Sequence, residues 1–203
     1  MKVILVNGSP HEHGCTDRAL REVANALESE GVQTEMFWIG KKPISGCVGC
    51  GACRTLKKCV LDGDGVNEFI QKAKTADGFV FGSPVHYASA GGAMTSFLDR
   101  AFYSGGEALR HKPGAAVVSC RRAGASATFD ILNKYFTINQ MPVASSNYWN
   151  EVHGQTAEEV EKDEEGLQTM RVLGYNLAWL LKCIALGKAQ GILPKGEEKI
   201  KTN

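Results

Sequence analysis

The chain has 203 residues, with 23 lysine plus arginine against 22 aspartate plus glutamate and seven cysteines. That length suits one sizeable domain burying roughly 70% of its unfolded surface, and so even a charge balance favours neither a nucleic acid nor an acidic polymer as partner. An odd cysteine count with four in one cluster points away from a disulfide framework and toward metal binding or free thiols.

Met1 and Lys2 lead straight into VILVN, too short for a secretory h-region, and the apolar run LAWLL stops at Lys182. A cytoplasmic protein is expected. Lys2–Asn7 (KVILVN) reads as a buried strand, β-branched and ended by Gly8. After the loop GSPHEHGC, Thr16 is placed to N-cap a helix with the apolar stripe Leu20, Val23, Ala24 and Leu27, and Gly31 to end it. Gln33–Ile39 reads as a second strand. The segment GCVGCGACRTLKKC follows, and Val66, Phe69, Ile70 and Ala73 mark the next helix.

GFVFGS, after Asp77, is a third buried strand, and SPVHYASAGG a second glycine- and serine-rich loop. A helix from about Ala93 to Phe102, a fourth strand Gly114–Cys120, a helix around Ala127–Phe136 and a fifth strand near Val143–Ser146 complete the alternation. Past the irregular NYWNEVHGQT, one long helix is expected from about Ala157 to Leu186. Leu167, Met170, Leu173, Leu177, Leu181 and Ile184 form its apolar face, and the acidic run EEVEKDEEG complements the dipole at its start.

Alternating strands and helices imply an α/β fold with a parallel sheet covered on both faces. Five strands with right-handed crossovers fit a flavodoxin-like, doubly wound order 2-1-3-4-5, in which ligands sit beyond the carboxyl ends of strands one and three. A single domain over 1–203 is expected, with a cysteine-rich loop at 43–63 and a C-terminal helical extension at 148–203. The loops after Asn7, Phe81 and Cys120 fall at the ligand edge.

In the first of these, Gly8, Ser9, Gly14 and Thr16 put small residues and hydroxyls before a helix N-terminus, where free N–H groups and the dipole favour a phosphate. The alternative is an ordinary βα turn. No GK[ST] follows and there is no GxGxxG, so neither a Walker A loop nor a Rossmann turn is present. Cys15 and Arg21 form a C-x5-R pair, but Arg21 falls on the second helical turn, where it cannot fold back around a phosphate as a phosphatase loop requires. In the second loop Pro84 stiffens the chain, and His86 and Tyr87 offer flat faces for a planar ring, or else form an exposed turn. In the third, Arg121 and Arg122 can stabilise an anionic ring or a phosphate, or sit as solvated surface charges.

The cysteine run, Cys47, Cys50, Cys53 and Cys59, has the spacing C-x2-C-x2-C-x5-C. Three thiolates so close can wrap one face of a cubane, with the fourth closing from the next turn, a compactness shared with ferredoxins. Structural zinc more often takes two separated ligand pairs. A [4Fe–4S] cluster is the sharper reading, and buried or oxidisable free thiols the plainer one. DGDG, Asp62–Gly65, lacks the ligands of a calcium loop.

The GSP…T loop, the SPVHY…FLDR stretch and the compact cysteine run resemble flavodoxin-like NAD(P)H-dependent FMN reductases, in the branch that includes the iron–sulfur flavoproteins. The resemblance covers most of residues 1–140. It implies FMN with its phosphate among Ser9, Pro10, His11, Gly14, Cys15 and Thr16. It implies the isoalloxazine against Pro84, Val85, His86, Tyr87, Ala88 and Ser89 and the loop of Arg121, Arg122 and Gly124. It also implies homodimers or homotetramers with flavins near subunit interfaces. The chain departs from the family at Cys15, where Asn is common, at His86, where Tyr is common, and at DGDG, where a more acidic ending is usual.

The expected activity is hydride transfer from NADH or NADPH to FMN, with electrons leaving to a small acceptor such as a quinone or through the cluster. The flavin carries the chemistry, so no side chain need act as acid or base. Tyr87 and Arg121 are catalytic candidates, and His153 is a candidate to reach a neighbouring flavin. A flavodoxin-like electron carrier and a zinc-binding structural module are the alternative functions.

Overall fold

Val3, Ile4, Leu5 and Val6 are all fully buried, and their alternation places the central strand. Ile4 and Val6 point into one core and Val3 and Leu5 into the other, as the two-residue period of a strand requires. The structure, a computed structural model, describes residues 1–198, 200 and 202; residues 199, 201 and 203 of the expected C-terminal extension lie outside it. The strands are β1 (Lys2–Asn7), β2 (Gln33–Trp38), β3 (Gly78–His86), β4 (Ser89–Ala90), β5 (Gly114–Cys120) and β6 (Glu151–His153). The helices are α1 (Cys15–Ser29), α2 (Cys53–Leu56), α3 (Val66–Ala73), α4 (Gly92–Leu109), α5 (Ala125–Ile138), α6 (Ala157–Val160) and α7 (Glu164–Ala189).

The sheet runs β2-β1-β3-β5-β6, all parallel, with β4 folded back antiparallel on the end of β3. Leaving out that two-residue strand, the order is the expected 2-1-3-4-5. α3, α4 and α5 cover one face over an aromatic core, and α1 and α7 cover the other. At the centre of the aromatic core Phe69 lies 5.7, 5.9, 5.8 and 5.3 Å from the ring centres of Phe37, Phe79, Phe81 and Phe97. Among the described residues no helix is long and apolar enough to cross a membrane.

Four expectations need correction. Thr16 is not the N-cap of α1. The turn before it closes through Gly14 N–H to His11 O (3.3 Å), so the helix starts at Cys15 with Gly14 as cap. Thr16 then points inward, 1% exposed, with its hydroxyl 2.8 Å from that of Ser119. SPVH is strand, not loop: Gly82, Ser83 and Pro84 stay in register with Val117, Val118 and Ser119 of β5.

The fifth strand of the sheet is not at Val143, which makes a single bridge to Gly114 and is 42% exposed. It is β6, held by Val118 N–H to Asn150 O and Gly154 N–H to Cys120 O, each 2.9 Å. The long helix is broken between Val160 and Glu164. Thr156 caps α6 through Glu159 N–H, and Asp163 interrupts the acidic run to accept from Gly166 N–H and start α7. The stretch 148–203 therefore supplies an edge strand as well as helix, and buries Leu167, Met170, Leu173 and Leu177 against α1 and the sheet.

α1 and α7 are also joined through Glu22, whose carboxylate accepts from Arg18 Nη1 (2.8 Å) and Arg171 Nη1 (2.5 Å). Burial disfavours its charged form, but the bonds from Arg171 and Arg18 outweigh burial and hold the carboxyl below its ordinary value. A carboxylate lowered on folding adds stability above its unfolded value and loses it as pH falls through the folded one. Glu22→Gln is therefore expected to be less stable at neutral pH and to lose less stability between about pH 5 and pH 3. Circular dichroism during acid titration reads both; parallel curves for the two proteins would contradict it.

Candidate functional site

The carboxyl ends of β1, β3, β5 and β6 open on one cavity of about 700 Å³, within the size range of small-molecule sites. Its floor is the start of α1. Arg18 N–H to Gly14 O (3.0 Å) is the first bond inside the helix, so the amides of Cys15, Thr16 and Asp17 have no helical acceptor, and no side chain caps them. Asp17 is turned onto Arg21 (2.7 Å) and His13 (3.6 Å). The cradle thus holds open donors at the positive end of a helix, the arrangement a phosphate needs.

The loop above it is braced from inside. Ser9 N–H donates to Asn7 Oδ1 (3.0 Å), Asn7 Nδ2 to Glu12 O (3.0 Å), His11 N–H to Ser9 Oγ (3.1 Å) and Trp38 Nε1 to Ser9 O (2.8 Å). A Cβ on Gly82 would lie 2.8 Å from both Leu20 Cδ1 and Thr16 Cγ2, so glycine there lets α1 seat directly on β3. Of the expected first-loop residues, Ser9, His11, Gly14, Cys15 and Thr16 line the cavity and Pro10 does not; Glu12 and His13 line it as well.

Pro84, Val85 and His86 line the opposite wall. Ser89 and Ala90 fold back on Val85 and His86, with Tyr87 at the hairpin tip at φ 61° and wholly exposed; neither Tyr87, Ala88 nor Ser89 lines the cavity. From β5 the cavity receives Arg121 but not Arg122. Gly124, at φ 88°, caps α5 and sits where a Cβ would be 2.8 Å from Val85 Cγ1, so it backs the hairpin instead of facing the cavity. His153 pairs with Asp163 at 3.6 Å and lines a separate hollow.

Sequence reasoning missed Glu12, His13, Lys41, Ser119, Cys120 and the Gly154–Glu158 segment as cavity walls. The last follows from misplacing the fifth strand: once β6 is put at 151–153, GQTAE becomes a strand-end loop on the ligand edge. Burial raises the pKa of both cavity thiols, Cys15 and Cys120, and Cys15 Sγ donates to Gly154 O (3.4 Å). With Arg21 committed to Asp17, a neutral Cys15 cannot serve the phosphatase chemistry that the C-x5-R spacing suggests.

Cys47, Cys50, Cys53 and Cys59 all line a second cavity, of about 670 Å³, walled by Asp99, Arg100, Tyr103 and Ser104 of α4. Gly49 and Gly51, at φ 65° and 72°, bend the backbone between the thiols into the left-handed region that side chains avoid. Asn67 clamps Cys59 from both sides, accepting from its N–H (2.9 Å) and donating to its carbonyl (3.0 Å). Asp64 is committed to Arg100 and Asp62 to Gly63 N–H (2.9 Å), so DGDG is a turn. Among the described residues no three His, Cys, Asp or Glu side chains converge as on one metal ion. Four thiols around one cavity do match the donor set of a cluster, in which each corner iron takes its own sulfur ligand.

The sequence profile of the NADPH-dependent FMN reductases matches residues 1–156. The chain belongs to that family. It is 34% identical over 192 residues to an iron–sulfur flavoprotein of Methanocaldococcus jannaschii, covering 91% of this chain and 99% of the relative. It is 27% identical to an iron–sulfur flavoprotein of Methanosarcina thermophila, covering 91% and 97%. Among solved structures, RosB with bound 8-demethyl-8-formylriboflavin-5′-phosphate aligns with TM-score 0.69 at 14% identity, over 100% of this chain and 91% of that one. An archaeal flavodoxin aligns with TM-score 0.61 at 17% identity, over 90% and 99%. Those two likenesses show the flavodoxin-like fold. Family membership makes the chain an FMN-dependent oxidoreductase.

Proposed function

We propose that the 700 Å³ cavity holds FMN, that NADPH or NADH reduces it, and that electrons leave to a small quinone-like acceptor or through a [4Fe–4S] cluster in the cysteine loop. The observation that carries the reading is the uncapped start of α1 opening into a cavity walled by β3 and β5, in a chain of the FMN reductase family. When bound, FMN supplies hydride acceptance and stepwise electron release. The protein's own residues bind and orient. The amides of Cys15–Asp17 take the phosphate, the Ser9 turn keeps them in place, and the Pro84–His86 wall takes the ring. Arg121 puts positive charge beside it, and Cys15 and Cys120 present neutral thiols that do not repel an anion. Arg121 remains the catalytic candidate that faces the cavity; Tyr87 is placed to touch a ligand only from the rim.

The cluster reading is supported by the four thiols lining one cavity and by the names of the two archaeal relatives. The protein is placed in the cytoplasm, where reducing conditions keep clustered thiols available as ligands. Copies are proposed to pair as homodimers or homotetramers, for which the exposed Tyr175 and Trp179 on α7 offer apolar area.

Anaerobic purification followed by a visible spectrum and flavin, iron and sulfide analysis tests the cofactors. Flavin with stoichiometric iron and sulfide is expected, and Cys53→Ser is expected to lose the iron and keep the flavin. Flavin without iron, or zinc in its place, rejects the cluster. Steady oxidation of NADPH or NADH with a quinone is also expected; its absence, with flavin bound, would leave an electron carrier.

A further inference from the structure

Arg100 is 1% exposed, and it is the one arginine or lysine among the described residues buried to that degree. It stands in the middle of α4 and spends its guanidinium entirely on the cysteine loop. Nη1 donates to Ser45 O (3.3 Å) and to Asp64 Oδ2, and Nη2 donates to Leu61 O (2.7 Å) and Asp64 Oδ1 (3.2 Å). These contacts brace the loop ahead of Cys47 and beyond Cys59. The remaining nitrogen, Nε, donates to Cys59 Sγ at 3.2 Å. Structural bracing alone would be complete without that bond, because the fork already closes on Asp64 and two carbonyls. The Nε–H points at a sulfur that also lines the cavity shared by the four thiols.

We infer that Arg100, through its Nε–H bond to the Cys59 sulfur, sets the reduction potential of the cluster held by the cysteine loop. The inference rests on the cluster reading given above. A donor on a ligating sulfur stabilises the state that carries more electron density, so the bond raises the potential of one-electron uptake, in which no bond forms or breaks. Asp64 opposes the guanidinium charge and limits the rise. Arg100 is therefore a positioning residue that acts through Cys59. Lysine keeps the charge but has neither the planar fork nor Nε.

The test is a redox titration of anaerobically purified protein, with the cluster followed by electron paramagnetic resonance and the bound FMN by its visible spectrum in the same samples. Arg100→Lys and Arg100→Gln are expected to lower the cluster's midpoint potential by roughly a tenfold change in its reduction equilibrium, about 59 mV for one electron, with the FMN potential unmoved. Asp64→Asn, which keeps Nε in place and removes the opposing carboxylate, is expected to shift it upward. Wild-type protein with iron and sulfide but variant potentials within twofold of its equilibrium overturns this inference alone. So do Arg100 variants that keep FMN and return without iron, since the role is then merely structural. Wild-type protein lacking iron and sulfide overturns the cluster reading and this inference together.

Discussion

Gly14→Asp is expected to lower FMN affinity at least about 100-fold without lowering the melting temperature of the apoprotein. Gly14 caps α1 at φ −90° and ψ −163°, a conformation open to any L-residue, and no side chain fills the capping role. Aspartate there accepts from the open amides and stabilises the helix by some tenths of a kcal/mol relative to glycine. Its Cβ would sit 3.1 Å from His11 Cβ, and His11 is exposed enough to yield. The same carboxylate occupies the cradle proposed for the phosphate. Two unit charges 4 Å apart repel by about 4 kcal/mol at an effective dielectric constant of 20, against about 2.7 kcal/mol for a 100-fold change. Gly14→Asn caps equally well without the charge and is expected to keep affinity within about tenfold of wild type. Fluorescence titration of apoprotein with FMN separates the two. Equal affinities for the Asp and Asn variants would remove the phosphate from α1.

The second large effect concerns the aromatic core. Phe69→Ala is expected to cost about 3–5 kcal/mol and to lower Tm by roughly 6–20 °C, at 2–4 °C per kcal/mol for a chain of this size. Phe69 is fully buried and touches four other phenylalanines, one each from β2 and α4 and two from β3. Its truncation leaves a cavity that none of them can fill without breaking a pair elsewhere. Ile138→Ala, at the end of α5 and 82% accessible, is the control and is expected to change stability by less than about 0.5 kcal/mol. Calorimetry reads both; a loss under about 1 kcal/mol for Phe69→Ala would mean that the core repacks.

The central sheet is legible in the sequence because its strands are buried on both faces and so read as short, uniformly apolar runs. KVILVN, GFVFGS and GAAVVSC all fall where they are expected. The family resemblance, carried by GSP…T and SPVHY…FLDR, is shown by the profile match over residues 1–156. The break in the long helix is local, made by the Thr156 and Asp163 caps; the other failures come from partners far away in the chain. Thr16 has the local signature of a cap, but Ser119, 103 positions away, draws its hydroxyl inward. VASS has more strand character than EVH, yet Asn150 and Gly154 supply the hydrogen bonds that seat EVH beside β5. Arg100 in FLDR has the look of a solvated helix residue, and only the fold brings Ser45, Cys59, Leu61 and Asp64 around it. The cysteines were conspicuous from the start; the arginine beneath them was not.

α4 begins at Gly92, two residues past the β3–β4 hairpin that walls one cavity, and carries Arg100 into the wall of the other. At 1.5 Å per residue that stretch rises about 12 Å. The same stiff rod therefore spaces both chambers. Inserting or deleting residues between Gly92 and Arg100 is the change expected to move one chamber relative to the other.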